Sequence, residues 1–232
     1  MRVVITAPTV FEIAPIIKTL DIHGQKLSFS KYTYGGCEIE ILVSGVGPVK
    51  SAISMAQLQM MGKVDLAIQV GLAGAFDRSL SLGSVVIVDK DRYGDLGVEE
   101  RDGTFTSVES LGLEDANLYP SVDGWIPHKV KADLSRYTLV NGITVNTVSG
   151  TQSTITSREA LFQPQIETME GAAFYYACRV LDIECVQVRA ISNYVEPRNK
   201  ENWQIEEAIK NLEIEFFRIF PTLSQVKQKG AI

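Results

Sequence analysis

Residues 2–20 read RVVITAPTVFEIAPIIKTL. The β-branched run Arg2–Ala7 predicts a strand, Pro8 turns the chain, and residues 10–20 carry apolar side chains at helical spacing. The same strand-then-helix order recurs. Residues 38–44 (EIEILVS) alternate polar and apolar, pass Gly45 and Gly47, and enter a stretch with Ala52, Met55, Ala56 and Gln59 at helical spacing. Residues 65–70 (DLAIQV) predict a strand that runs into what reads as a second glycine turn, Gly71-Leu72-Ala73-Gly74. Strands are expected at 85–88, 143–148 and 186–191, and helices at 169–181 and 201–220. Residues 89–125 are polar and glycine-bearing, the mark of loops leaving the sheet. Strands alternating with helices predict an α/β fold: a central mixed, largely parallel sheet flanked by helices, in one domain over residues 1–232.

Composition narrows the function classes. Hydrophobic residues are 45% and charged residues 22% of the 232, ordinary values for a globular enzyme. The net charge of -6 argues against a nucleic-acid surface, which would carry a basic stripe. Cys37, Cys178 and Cys185 show no metal or redox spacing and read as reduced, packed thiols. The apolar start is interrupted by Pro8 and Glu12, unlike a signal peptide, and no apolar run approaches the ~18 residues of a membrane span. A cytoplasmic protein is expected, without membrane attachment. His23 and His128 form no ligand pattern, so neither metal nor cofactor is expected.

Three glycine-bearing segments fall at expected strand ends: SGVGPVKSA (residues 44–52), VGLAGAF (70–76) and VSGT (148–151). Ligands of open α/β sheets bind beyond the carboxyl ends of strands, where glycine lets the backbone approach closely. Each segment is also compatible with simple turn chemistry. Val49 stands where a Walker loop needs glycine, and Lys50 where a dinucleotide fingerprint needs its third glycine. Later in the chain, Glu170 opens a predicted helix, where an acid either complements the helix dipole or grips a sugar diol. Asn193 ends an apolar strand, as a turn former or as an amide donor to a ligand.

Taken together, Glu12 after the first strand, GVGPVKSA, GLAG, ETMEGAA and RAISN resemble the nucleoside phosphorylase/nucleosidase superfamily. Their order and spacing are similar to those of the methylthioadenosine/S-adenosylhomocysteine nucleosidases over nearly the whole chain. Residues 93–99 (YGDLGVE) and 193–199 (NYVEPRN) resemble the futalosine hydrolase branch. The resemblance implies hydrolysis of an N-glycosidic bond, with Glu12 activating the water. It implies that Met169 and Glu170 clamp the ribose, that Leu72, Ala73 and Gly74 line the site with backbone, and that Ser192 orients its neighbour. A homodimer and a small-molecule nucleoside partner are implied as well.

Two departures shape the expected substrate. Asn193 stands where adenine-specific relatives carry aspartate; an amide has no acidic proton, yet its NH₂ donates to purine N7 or a 6-oxo group. A 6-oxopurine is therefore favoured over adenine, because an unmatched buried polar group is costly. Residues 149–155 lack the usual base-stacking aromatic, and the backbone around Ile155 is expected to read the purine edge instead. Arg198, with Asn199 and Trp203, either meets the benzoate-type carboxylate of futalosine or is a surface residue at a helix entry. Phosphorolysis would need arginines beside the glycine segments, and the chain has Gln69 where one would stand, so water is the expected nucleophile. Catalytic roles thus fall to Glu12 and Asn193. The rivals are an adenine-releasing nucleosidase acting on methylthioadenosine, S-adenosylhomocysteine or aminodeoxyfutalosine, and a nucleoside-binding protein that has lost catalysis.

Overall fold

A computed structural model of the chain describes residues 1–224. The carboxyl end of the expected domain, residues 225–232, lies outside the described residues. In chain order the elements are β1 (Arg2–Ala7), α1 (Val10–His23), β2 (Gln25–Lys26), β3 (Lys31–Tyr34), β4 (Cys37–Val43), α2 (Pro48–Met60), β5 (Leu66–Ala75) and β6 (Val85–Tyr93). There follow β7 (Gly97–Glu99), β8 (Phe105–Ser107), β9 (Ile126–Pro127), β10 (Leu139–Thr144), α3 (Gln152–Phe162), β11 (Ile166–Thr168), α4 (Gly171–Val180), β12 (Glu184–Tyr194) and α5 (Ile205–Ser224).

The main sheet runs β11-β10-β6-β12-β5-β1-β4-β3-β2, with β9 on β6. The pairs β1–β4, β1–β5 and β5–β12 are parallel, whereas β12–β6 and β3–β4 are antiparallel. The sheet is therefore mixed, as the alternating pattern predicts. Strand β11 also pairs antiparallel with β5, so β5, β11, β10, β6 and β12 close a circuit.

Central strands are buried on both faces, and their side chains alternate between two cores. Val3, Ile5 and Ala7 of β1 pack with Ile13, Ile16 and Leu20 of α1 and with Leu212 and Phe216 of α5. Val4 faces the other way, toward Met55 and Leu58 of α2 and Phe174 and Cys178 of α4. The free thiols of Cys37, Cys178 and Cys185 are all buried. Among the described residues, no helix is long and apolar enough to cross a membrane.

Several boundaries differ from expectation. The supposed glycine turn at 71–74 is the carboxyl half of β5, which pairs through Ala75 with β12. Glycine in a strand buried on both faces marks close approach rather than reversal. The strand expected at 143–148 lies at Leu139–Thr144, and α3 follows from Gln152, where the sequence reading had only a polar segment. The last helix begins at Ile205, after a short 3-10 turn at Lys200–Asn202. The excursion between β6 and β10 holds the two-stranded β7–β8 pair.

Candidate active site

Thr9 caps α1: its hydroxyl accepts from the Glu12 amide at 3.3 Å and donates to Glu12 Oε2 at 2.6 Å. This variant of the capping box holds a helix end and aims a carboxylate with the same residue. The other oxygen, Oε1, accepts from the Leu72 amide of β5 at 3.1 Å. Close approach there depends on Gly71. A Cβ at that position would lie 2.9 Å from Glu12 Oε1 and 2.6 Å from Arg189 Nη1.

Glu170 is the N-cap residue of α4, directly behind Met169. Its Oε1 accepts from the Gly47 amide at 3.0 Å, tying the α4 entrance to the glycine segment before α2. Burial pushes the Glu170 carboxyl above its ordinary value, opposed by the charge of Arg189 and the Gly47 hydrogen bond.

Asn193 is aimed by a bulge. Ile191 pairs with Ala73, but Asn193 pairs with Gly74, so Ser192 and Asn193 share one step of β5. Ser192 Oγ then donates to Asn193 Oδ1 at 2.8 Å. With Oδ1 satisfied, Nδ2 is the amide's donor end; it reaches the Tyr194 carbonyl at 3.0 Å and has a second N–H left over.

These groups share one cavity of about 320 Å³, lined among others by Glu12, Met169, Glu170, Ser192 and Asn193. Leu72, Ala73, Gly74, Arg198 and Trp203 line it too. Nine of the ten site positions read from the sequence thus meet in one place. Ile155 does not. Its side chain is buried with Phe76, Ile143, Val145, Phe162 and Val195, and its amide donates to Thr151 in the first turn of α3. Val148 and Glu167, which the sequence reading left without a role, line the cavity instead.

Arg189 is the main omission. It is fully buried, and its guanidinium donates to Gln187 Oε1 at 3.1 Å and to Gln69 Oε1, while Nη1 is unpartnered beside Gly71. The sequence reading put no arginine near the glycine segments; the structure brings this one there. Its signal was a charged residue in VQVRAI, flanked by glutamines in two otherwise apolar strands. A single guanidinium nitrogen, close to the carboxylates of Glu12 and Glu170, is a poor clamp for a phosphate dianion and a good donor to a water or hydroxyl. Among the described residues no cluster of three or more His, Cys, Asp or Glu could hold a metal ion.

The polar array continues to Asp91, which accepts from Thr144 Oγ1 at 2.9 Å and Gln187 Nε2 at 3.2 Å. Burial holds its carboxyl up at about 6, against those donors and the charge of Arg189.

The phosphorylase superfamily model matches residues 2–219. The chain is 31% identical to the futalosine hydrolase of Thermus thermophilus over 174 residues, 74% of this chain and 76% of that protein. It is 31% identical to the futalosine hydrolase of Streptomyces coelicolor over 202 residues, 81% of each. In structure it is similar to the MTA/SAH nucleosidase of Streptococcus pneumoniae in complex with 8-aminoadenine. That likeness has a TM-score of 0.78 at 23% identity, covers 96% of this chain and 100% of that one, and speaks for the fold.

Asp91 gives a pH test. A carboxyl raised from its ordinary 3.8 to about 6 binds its proton better folded than unfolded. The stability this confers is complete below the unfolded value and is lost as pH rises through about 6. Asp91→Asn, always neutral, is expected to gain about 2 kcal/mol on the parent protein between about pH 4 and about pH 7. Melting temperatures of both proteins at the two pH values measure this, and a difference that does not move with pH removes Asp91 as the titrating group.

Proposed function

The chain belongs to the phosphorylase superfamily, and from that premise we propose that it hydrolyses the N-glycosidic bond of futalosine, releasing hypoxanthine and dehypoxanthine futalosine for menaquinone biosynthesis. At the coarser level it is a nucleosidase, an N-glycosyl hydrolase. The observation that carries the finer reading is the convergence of Glu12, Glu170 and Asn193 on one cavity.

Glu12, fixed by Thr9 and Leu72, takes a proton from water as its oxygen bonds to the anomeric carbon. The bond from that carbon to purine N9 breaks, its electron pair leaves with the base, and the base takes up a proton from solvent as Glu12 gives its own back. Glu170 uses Oε1 on Gly47 and keeps Oε2 for ribose hydroxyls, with Met169 against the sugar. Its carboxylate also favours the positive charge that gathers on the ring as the bond opens. The Asn193 amide donates to N7 or the 6-oxo group, stabilising the departing base by hydrogen bonding. Arg189 Nη1, beside Glu12, suits a donor that holds the attacking water.

Purified protein with futalosine is expected to release hypoxanthine equally well with and without phosphate. A phosphate-dependent sugar phosphate would overturn hydrolysis, and release of adenine from a matched substrate in preference to hypoxanthine would favour the adenine-type nucleosidases. In the same assay Glu12→Gln is expected to lower kcat about 10²–10⁴-fold. Turnover that survives this change at the parent rate excludes Glu12 as the base.

Arg198 lines the cavity with its guanidinium 5.2 Å from the Trp203 ring, and the two also line a larger cleft with Lys200, Gln204, Glu206 and Glu207. This pair suits the benzoate-type carboxylate of futalosine, through charge and ring stacking. Arg198→Ala should raise KM for futalosine about tenfold with little change in kcat, and an unchanged KM would remove the assignment.

The functional unit is a homodimer in the cytoplasm. Val10 and Phe11 at the start of α1, and Val49 and Ile53 of α2, are more than half exposed. They follow the adjacent ends of β1 and β4, next to the cavity residue Val46. An apolar patch beside a site is the kind a second copy covers. Analytical ultracentrifugation should give twice the chain mass of 25.6 kDa; an active monomer would sink the dimer.

A further inference from the structure

Glu167 is a buried acid in the cavity wall to which the mechanism above assigns nothing. It lies on β11, where it pairs with Gly74 of β5; on the opposite edge of β5, Asn193 pairs with the same Gly74. Acid and amide therefore flank one glycine, about two strand spacings or ~9.5 Å apart along the sheet. A Cβ on Gly74 would come within 3.2 Å of Asn193 Nδ2, so the bare backbone keeps the space between them clear. Both residues line the cavity that holds Glu12 and Glu170 and a small recess that shares its lining, together with Val148.

Both oxygens of the Glu167 carboxylate accept hydrogen bonds. Oε1 accepts from the Ser149 amide at 2.8 Å, and Oε2 accepts from Ser149 Oγ at 2.8 Å and from Arg158 Nη1 at 3.2 Å. Arg158 is itself buried and also donates to Ser149 Oγ and to the Thr147 carbonyl. Burial pushes the Glu167 carboxyl above its ordinary value, and these three donors, one of them charged, oppose that push. A carboxylate has about four lone-pair sites, so one acceptor position is left for whatever enters the cavity.

Purines differ in what they offer such a pair. A 6-oxopurine presents a donor at N1 and acceptors at O6 and N7; adenine presents an acceptor at N1, a donor at its amino group and an acceptor at N7. Ser192 occupies Oδ1 of Asn193 and leaves the NH₂ as the reading end. An NH₂ beside a carboxylate complements acceptor and donor in the 6-oxopurine order. With adenine, the carboxylate would face a lone pair at N1 and the NH₂ would face another NH₂.

We propose that Glu167 is a specificity residue that accepts the lactam N1–H of a 6-oxopurine while Asn193 donates to O6 or N7. This rests on the hydrolase reading and names the second half of its base recognition. Ser149 and Arg158 act through Glu167 as positioning residues, fixing the carboxylate in the cavity wall.

The test compares futalosine with its N1-methyl derivative, in the parent protein and in Glu167→Gln. Methylation removes the donated proton and leaves the acceptor unpaired, so kcat/KM of the parent protein should fall at least about 30-fold. In Glu167→Gln, futalosine turnover should drop and the preference over the methyl derivative should shrink below about fivefold. Because glutamine keeps the bulk of glutamate, a penalty that is merely steric would persist in the variant, and an unchanged ratio overturns the proposal. The parent protein alone can also overturn it, by turning over both substrates within about threefold, which keeps the test valid even if the unpaired Arg158 weakens the variant. Hypoxanthine release with that near-equal ratio removes Glu167 only. No hypoxanthine from futalosine, with adenine released instead from a matched adenine-bearing nucleoside, removes the futalosine reading together with it.

Discussion

Strand β5 serves the site through the positions where it has no side chain. Gly71 lets the carboxylate of Glu12 and the guanidinium of Arg189 come against the strand from two elements, α1 and β12. Gly74 leaves room for the Asn193 amide and stands between it and Glu167. The intervening Leu72 amide anchors Glu12. A strand in the middle of a sheet usually fills both faces with apolar side chains. Here its first half does so, through Leu66, Ala67, Ile68 and Val70, whereas its second half keeps Ala73 and Ala75 buried and has no side chain at Gly71 and Gly74.

The cavity is charged, and the sheet beneath it is built to tolerate the charge. Two acids face the cavity close to Arg189, whose guanidinium is cradled by Gln69 and Gln187. Neutral carbonyl oxygens satisfy part of the guanidinium without neutralising it, so its field remains directed at the acids. Gln187 also donates to Asp91, carrying the polar array onto β6. Buried charges are costly unless paired and hydrogen-bonded, and the apolar helices packed on both faces supply the compensating burial.

Much of this was legible in the chain because the strands speak plainly when both faces are buried. RVVITA is a continuous β-branched run, VQVRAI alternates valines with polar residues before Ala190 and Ile191, and the helices between them carry apolar residues at helical spacing. The glycine segment at 71–74 was misread because glycine is as common in turns as at sites of close approach, and only the partner strands distinguish the two. Ile155 was assigned from its neighbourhood in the chain, but helix α3 turns it into a small apolar cluster, and Val148 and Glu167 occupy the wall. Glu167 and Arg158 find each other only through the pairing of β11 with β5 and β10, which no local pattern encodes. The Ser192 bulge is equally silent in sequence, since it exists only relative to the register of a neighbouring strand.

That bulge separates the reading head from the scaffold. Upstream of it β12 keeps strict register with β5, with every residue from Cys185 through Ile191 fully buried. Downstream, one extra residue has already reset the alternation, so the side chain at 193 is presented to the cavity without any demand on the core. Amide and acid are nearly the same size at that spot, and exchange between them leaves packing, register and the neighbouring hydroxyl where they are. A fold arranged in this way can change the base it prefers while its interior stays as it was, which gives a lineage a short route between purine chemistries.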